Sequence, residues 1–219
     1  MTMDNKEYEI LKRCLDFFIA LYVLIFFSPL WVLIYCLVRL TSSGPGLYLQ
    51  RGVIGKGECE FIVYKFRTMF YNTDDTLHKH AIKRFVNGKA LSVFSQKGKK
   101  KVVYKLINDP RITPFGQFLR KTGLDEVPQF FNVLRGEMSV VGPRPPLYYE
   151  YEHYTEYHKK RLTVLPGITG LYQVRGRSYV PFDEMVELDL QYIQRRSFCL
   201  DLAIIAVTPW VMLTGKGGH

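Results

Sequence analysis

An apolar segment from Phe17 to Val38 constrains this chain more than any other feature of its sequence. The segment carries no charge, and only Ser28 and Pro29 interrupt the apolar run. A straight helix of that length would extend about 33 Å, enough to cross the hydrocarbon core of a bilayer. Pro29 removes a backbone hydrogen bond near the middle, so we expect a kink there, where the Ser28 hydroxyl can bond a freed backbone group.

Basic residues flank this segment on both sides. Lys12 and Arg13 precede it, and Arg39, Arg51 and Lys56 follow it. Because basic flanks stay on the cytoplasmic side of a membrane, we expect both ends of the segment there. A re-entrant helix-break-helix hairpin satisfies this pattern, and on the residues alone a kinked transmembrane helix remains the alternative.

The charge balance points to an anionic partner. Thirty Lys and Arg stand against twenty Asp and Glu, a formal net charge of +10. Nucleic acid, anionic lipid and phosphorylated substrates all fit such an excess. The stretch from His78 to Lys121 is strongly basic, with Asp109 as its single acid. Within it, we interpret Lys97–Lys101 as a solvated loop.

The four cysteines are too dispersed to form a metal-ligand pair or to indicate a disulfide framework. We therefore expect all of them to be free, small and buried side chains: Cys14, Cys36, Cys59 and Cys199.

Short strands and helices are predicted after the apolar segment. Leu47–Val53 and Glu60–Phe66 form a β-hairpin around Gly55-Lys56-Gly57, and Lys65 and Arg67 project from one face of its second strand. Further helices are predicted over Phe115–Arg120, Phe182–Phe198 and Leu200–Leu213, the last lying in a membrane interface with Trp210 as an anchor.

A capping-box pattern at Thr122 predicts a helix from there to Leu134 that Gly136 ends. Pro128 lies inside this range, so the helix either restarts there or has an irregular first turn.

The candidate chemistry lies at the predicted start of that helix, where Asp125 and Glu126 are adjacent. Arg120, Lys121, Gln129 and Asn132 are close in sequence, and Gly142-Pro143-Arg144-Pro145 follows. Helix N-termini and arginines bind phosphate, and carboxylates hold Mg²⁺, so the pattern indicates a phosphate-handling site. The alternative stays open that the acids only complement the helix dipole and that Pro-Arg-Pro is only a rigid loop.

Four motifs in order resemble the monotopic phosphoglycosyl transferases, a family of bacterial sugar transferases. They are KRCLDFF with SPL (Lys12–Leu30), YKFRTM (Tyr64–Met69), RKTGLDEVPQFFNVLRGEMSVVGPRP (Arg120–Pro145) and LPGITGLYQVRGR (Leu165–Arg177). The resemblance extends from about Lys12 to His219 and is greatest to the undecaprenyl-phosphate sugar phosphotransferases. Because few residues precede Lys12, we do not expect the extra N-terminal transmembrane helices of larger members. Leu171-Tyr172 departs from the Trp-Ala pair usual in the family.

The resemblance implies a role for each matching residue. Asp125 is implied as the nucleophile and Mg²⁺ ligand, and Glu126 as a catalytic residue for metal positioning or proton handling. The implied substrate- and phosphate-binding residues are Lys65, Arg67, Gln129, Arg120, Arg144 and Arg175. Ser28-Pro29 is implied as the helix break of a re-entrant hairpin. The implied fold is α+β, with this hairpin at 1–40 and a small, mostly helical, membrane-associated catalytic domain at 41–219.

The implied reaction transfers a sugar-1-phosphate from a UDP-sugar to polyprenyl phosphate and releases UMP, an early step of surface glycan assembly at the cytoplasmic face of the bacterial inner membrane. A homodimer is compatible with the sequence. Two other classes stay open, a membrane-anchored scaffold that holds anionic lipid and a membrane-tethered nucleic-acid binder. Neither requires adjacent carboxylates beside two arginines, so we expect no nucleic-acid partner.

Overall fold

The computed structural model describes residues 5–74, 76–89, 92–96, 99–103, 109–176 and 179–213. Among these residues helices predominate, and the strands pair in three two-stranded sheets. This mixture of helix and strand confirms the predicted α+β class.

Two helices that meet at Phe27 form the N-terminal part of the structure. Helix α1 spans Asn5–Phe26 and helix α2 spans Ser28–Thr41, with a bend of 64° between them. Pro29 lies in the first turn of α2, where its missing N–H breaks no intrahelical bond. The indole of Trp31 donates to the carbonyl of Val23 at 3.0 Å and so satisfies one backbone group across the bend.

Neither helix alone, nor any other single helix in the described part of the chain, is long and apolar enough to cross a membrane, but the bent pair passes that test jointly. Both helices leave large apolar side chains exposed, among them Phe18, Tyr22, Ile25, Phe26, Val32 and Leu33. The predicted break at Ser28-Pro29 is confirmed as a bend, whereas insertion of the pair as a re-entrant hairpin stays a prediction.

The predicted β-hairpin is confirmed. Strand β1 (Leu47–Ile54) pairs antiparallel with strand β2 (Glu60–Phe66), and a short 3₁₀ turn at Lys56–Glu58 joins them. The register shifts between Gln50 and Val53. Gly52 lies within this bulge with φ of +69°, a conformation that glycine adopts without steric cost.

Part of the basic stretch is regular structure. Helix α3 spans Thr76–Val86, and strand β3 (Ser92–Gln96) pairs antiparallel with strand β4 (Lys99–Val103). The interpretation of Lys97–Lys101 as a loop is therefore wrong for 99–101, because these residues belong to β4 and pair with β3. Lys97 lies outside the described residues.

The helix predicted from Thr122 to Leu134 is wrong at its start. Helix α4 (Pro114–Thr122) ends at Thr122, a 3₁₀ turn covers Leu124–Gln129, and helix α5 covers Phe130–Arg135. The Thr122 hydroxyl donates back to the carbonyl of Phe118 at 2.9 Å instead of capping the next helix. Pro128 lies in the 3₁₀ turn, which confirms the irregular first turn, and Gly136 ends α5 as predicted.

The remaining elements complete the structure. They are strand β5 (Ser139–Val141), helices α6 (Tyr148–Tyr151) and α7 (Glu156–Lys159), a 3₁₀ turn (Lys160–Thr163), strand β6 (Gly167–Thr169), and helices α8 (Leu171–Arg175), α9 (Phe182–Arg195) and α10 (Phe198–Leu213). Strands β5 and β6 are parallel. The two C-terminal helices were predicted, and Trp210 is exposed, but its position in a membrane interface stays a prediction.

The N-terminal helices share hydrophobic cores with the rest of the chain. Ala20 of α1 is fully buried in a cluster with residues of β1, β2, β5, α9 and α10, while Val38 of α2 packs with Phe66 and Leu119. Arg13 adds a polar contact, donating to the carbonyl of Leu134 at the end of α5 at 2.9 Å. The predicted division into domains at 40/41 stays a prediction, with extensive packing across it.

The prediction of buried cysteines is wrong. Cys14, Cys36, Cys59 and Cys199 are free, as expected, but each is exposed. Cys14 and Cys36 belong to α1 and α2, whose outer faces also expose large apolar side chains. An apolar segment therefore does not imply burial within the protein when the segment packs with only one face.

The bend at Phe27 predicts that both chain ends lie on the same side of a membrane. In intact cells, a membrane-impermeant reagent should fail to label a tag at either end. Replacing Ser28→Ala together with Pro29→Leu should straighten the pair, so that the N-terminal tag becomes labelled. Pro45→Ala, an exposed proline outside the two helices, serves as the control. Labelling of the N-terminal tag in the unmodified chain would rule out the hairpin.

Candidate functional site

The adjacent carboxylates lie on the 3₁₀ turn between α4 and α5. Gly123 ends α4 with φ of +71°, and this left-handed residue redirects the chain into the turn that carries Asp125 and Glu126. A side chain at Gly123 would collide with Met212 of α10. The left-handed backbone conformation therefore favours glycine here, whereas the flexible end of Met212 could move aside.

Two cations accompany the carboxylates. The ammonium of Lys65 lies 3.9 Å from Glu126, and Nε of Arg120 donates to the Thr68 hydroxyl at 2.8 Å. Burial lowers the pKa of the Arg120 guanidinium, and the charge of Asp125 opposes this shift. Arg120 is thus held beside Asp125 by a neutral hydrogen-bond partner, and the charges of Asp125, Asp109 and Glu126 all act on it.

Arg67 has a different environment from Lys65. Its buried guanidinium donates to the carbonyls of Ser42, Ser43 and Gly44 at the end of α2, at 2.9 Å for Ser42 and 3.3 Å for Gly44. Burial lowers its pKa. These contacts bond the C-cap of α2, Ser42, and the two residues after it, and the phosphate-binding role of Arg67 stays a prediction.

Arg144 lies in a second group of charged side chains. Its Nη1 is 3.4 Å from Oε2 of the buried Glu150, and its backbone carbonyl accepts from Nη2 of Arg161 at 3.0 Å. Burial acts to lower the pKa of Arg144, but the charges of Glu150, Tyr172 and Tyr154 together outweigh it and raise the pKa. The Arg144 side chain is 39% exposed, while its backbone carbonyl is held from within by Arg161.

The loop that carries Arg144 packs directly on the loop before α8. The amide of Gly142 donates to the carbonyl of Thr169, and the amide of Gly167 donates to Pro143, both at 2.8 Å. A Cβ atom at Gly142 would lie 2.5 Å from the carbonyl oxygen of Leu165. The glycines of the two motifs thus allow a close approach of backbones that any side chain would prevent.

Helix α10 brings the two groups together. The hydroxyl of Thr208 lies 2.8 Å from that of Thr169, and Met212 lies against Gly123. Thr208 and Met212 are one helical turn apart, about 6 Å along the axis. Strand β6, on which the loop of Arg144 packs, and the end of α4, which leads into the turn of Asp125, therefore contact neighbouring turns of one helix.

The other residues predicted to bind the substrate lie in the 3₁₀ turn and in α8. Gln129 is buried in the 3₁₀ turn, and Arg175 ends α8. The unusual pair Leu171-Tyr172 is buried at the start of α8, where each side chain joins a hydrophobic cluster. The departure at this pair is therefore accommodated as core packing.

The residues at the turn fit Mg²⁺ only as part of a larger ligand set. Within the described ranges, no three His, Cys, Asp or Glu side chains come together as a metal site. Asp125 and Glu126 offer carboxylate oxygens, the ligands that Mg²⁺ prefers, and Mg²⁺ commonly takes its other ligands from water and substrate phosphates. The donor set thus fits Mg²⁺ that arrives with a phosphorylated substrate.

Sequence reasoning missed the residues that hold the site in place. Glu150, Arg161 and Asp189 are almost fully buried ionic side chains, and Asn132 bonds the backbone of β2 through the carbonyl of Ile62 at 2.6 Å. The partners of Asn132 and Asp189 are distant in sequence, at Ile62 and Arg161, so the pairings themselves could not be predicted. Acidic and basic residues at apolar positions of a helix, as at Asp189 in α9, were the available signal.

Known proteins match this chain over nearly its whole length. A model of the bacterial sugar transferase family matches residues 7–215. Galactosyl transferase CpsE of Streptococcus agalactiae is 39% identical over 99% of this chain and 46% of its own length. The undecaprenyl-phosphate galactose phosphotransferase of Salmonella typhimurium is 39% identical over 100% of this chain and 44% of its own length.

A third relative is similar in size to this chain. The exopolysaccharide production protein ExoY of Rhizobium meliloti is 38% identical over 95% of this chain and 88% of its own length. The chain thus spans less than half the length of the first two relatives and most of the length of the third.

The contacts of Arg67 predict a large loss of stability when it is truncated. Arg67→Met leaves several carbonyls at the end of α2 without their donor, which should cost about 3 kcal/mol and lower the melting temperature in detergent by about 10 °C. Arg51→Met, an exposed arginine of the same β-hairpin, is the control and should melt like the unmodified chain. If Arg67→Met keeps its melting temperature but loses binding of a nucleotide sugar, the phosphate-binding role predicted from sequence is the better account.

Proposed function

We propose that this chain, which belongs to the bacterial sugar transferase family, transfers a sugar-1-phosphate from a UDP-sugar to a polyprenyl phosphate. The name of the Salmonella relative supports the lipid acceptor, and that of the Rhizobium relative supports a place in exopolysaccharide or related surface glycan assembly.

One observation carries this proposal. Asp125 and Glu126 lie on a turn between two helices, with Arg120 and Lys65 beside them, and α10 contacts both the end of α4 and the strand on which the Arg144 loop packs. A phosphate placed among these groups would meet a carboxylate nucleophile and several cations that offset the charge developing in the transition state.

In the first step, a carboxylate oxygen of Asp125 attacks the β-phosphorus of the UDP-sugar. The bond between that phosphorus and the oxygen bridging to the α-phosphate breaks, and UMP leaves with the bridging oxygen. The sugar phosphate remains on Asp125 as an acyl phosphate. Charge balances without a proton, since a dianionic donor and a carboxylate give UMP dianion and a monoanionic intermediate.

In the second step, an oxygen of the polyprenyl phosphate attacks the same phosphorus. The bond from phosphorus to Asp125 breaks, which restores the carboxylate and gives a polyprenyl diphosphate sugar. Arg120 and Arg144 would bind the phosphate oxygens, and Glu126 would position the metal or handle a proton. Mg²⁺, held by Asp125, would supply positive charge that lets an anionic nucleophile approach an anionic phosphate.

The lipid acceptor explains the exposed apolar surface. Besides α1 and α2, exposed apolar side chains occur on α4, α5 and α10: Phe118, Phe131, Leu202, Val207 and Trp210. Such a surface would place residues 41–219 against the cytoplasmic face of the bacterial inner membrane, with the bent pair at 1–40 inserted as a re-entrant hairpin. Both substrates would then meet at headgroup level.

The covalent step predicts that label is trapped on Asp125. The purified protein, Mg²⁺ and UDP-sugars carrying label in the sugar phosphate are mixed without lipid acceptor, using a panel of sugars. One equivalent of UMP should be released, and the label should stay on the denatured protein in the peptide that contains Asp125. Asp125→Asn should release no UMP, because the neutral amide keeps the shape but not the nucleophile.

Asp183→Asn, an exposed acid on α9, provides the matched control and should trap label normally. Chelation of Mg²⁺ should stop UMP release, and its return should restore it. Appearance of UMP only after lipid is added would favour direct transfer within a ternary complex, with Asp125 as a metal ligand or base.

The proposed membrane placement predicts a strong preference for a long-chain acceptor. In nanodiscs, turnover with an undecaprenyl phosphate should exceed turnover with a short, water-soluble prenyl phosphate at equal concentration by at least about tenfold, the effect of burying only a few methylene groups. The assay measures the labelled diphosphate product. Equal turnover of the two acceptors would contradict a site at the membrane interface.

A further inference from the structure

A network of buried polar side chains lies behind Arg144. Nε of Arg161 donates to Asp189 at 2.8 Å, and its Nη1 donates to the hydroxyl of Tyr154 at 2.5 Å. The Tyr154 hydroxyl donates in turn to Oε1 of Glu150 at 2.8 Å. Glu150 meets the guanidinium of Arg144 with its other oxygen, and Arg161 bonds the Arg144 carbonyl, so the network closes on Arg144 from both ends.

We propose that Glu150, Arg161 and Asp189 are positioning residues, which hold the guanidinium of Arg144 in the orientation that binds the phosphate of the sugar donor. This inference rests on the proposed function, and in particular on a phosphate lying beside Arg144.

Because the network behind Arg144 is buried, its residues cannot bind the substrate directly. Glu150 is 0% exposed, and Arg161 and Asp189 are each 1% exposed, so a substrate does not reach them. Arg144 is the member whose side chain is substantially exposed. Its contact with Glu150 engages one N–H group of a guanidinium that has five, which leaves others for an anion.

Stability alone does not account for this arrangement. Buried ion pairs often contribute no more than apolar residues of the same volume would, because desolvation offsets their attraction. Here the pairs join three separate elements, α6, the 3₁₀ turn at 160–163 and α9, to one loop residue. Fixing a long side chain in advance reduces the conformational entropy lost when the donor binds.

A double-mutant cycle in the full chain tests this role. Glu150→Gln and Arg144→Ala, each alone, should raise the KM for the UDP-sugar about tenfold, the value of one charge-assisted hydrogen bond. If Glu150 acts through Arg144, the double variant should have the KM of Arg144→Ala alone. A Glu150 that acts on KM independently of Arg144 would instead add its effect, and additive effects on KM would overturn the proposal.

Two further variants keep the test decisive. Tyr154→Phe removes only the hydroxyl that joins Glu150 to Arg161, and it replaces Glu150→Gln in the cycle if that variant does not fold. Glu187→Gln, an acid of α9 whose partner is the exposed Tyr157, is the control and should leave KM unchanged. A network variant with a lower melting temperature and an unchanged KM would also overturn the proposal.

Failure of the positioning role can be distinguished from failure of the proposed function. If the unmodified chain releases no UMP from any UDP-sugar, the proposed function fails. If it releases UMP and the cycle is additive, the function stands and the positioning role fails.

Discussion

The end of α2 is the point at which hydrogen bonds connect the two apolar helices to the candidate site. A helix leaves its last carbonyls without intrahelical partners, and at a membrane surface such groups need donors. Arg67 supplies them, bonding carbonyls of Ser42, Ser43 and Gly44 with one guanidinium. Because Arg67 follows directly after β2, this capping fixes the β-hairpin to the bent pair of helices.

The next residue transmits this constraint to the site. The Thr68 carbonyl accepts from the amide of Thr113 at 3.0 Å, and Thr113 caps α4. The Thr68 hydroxyl accepts from Arg120 at the other end of the same helix. Arg67 and Thr68 are consecutive, and together they bond the chain just after α2, the start of α4 and a cation beside Asp125. The position of Arg120 is therefore linked to the end of α2 by hydrogen bonds as well as by the packing of Val38, Phe66 and Leu119.

Much of this organisation could be predicted from sequence, and the failures have physical reasons. The break at Pro29, the β-hairpin and the neighbourhood of Asp125 follow from local rules, because proline, turn glycines and adjacent acids act within a few residues. The helix start at Thr122 was predicted wrongly, since the same pattern of residues also permits a hydroxyl to bond back within the preceding helix. The bonds of Arg67 to the carbonyls at 42–44 could not be foreseen, because nothing in the neighbouring sequence reveals these partners. Its phosphate-binding role stays a prediction.

The orientation of helix α10 is not determined by apolar packing, because such packing does not specify the rotation of the helix about its own axis. Its sequence is apolar around most of its circumference, which leaves many rotations of similar energy. Asp201 is the exception, fully buried and bonded to Tyr8 at 3.0 Å, Lys12 at 2.9 Å and Tyr192 at 2.7 Å. Directional bonds to α1 and α9 select one rotation and one register. The same register sets Thr208 against Thr169 and Met212 against Gly123, so a buried carboxylate outside the candidate site helps to fix how its two parts are placed.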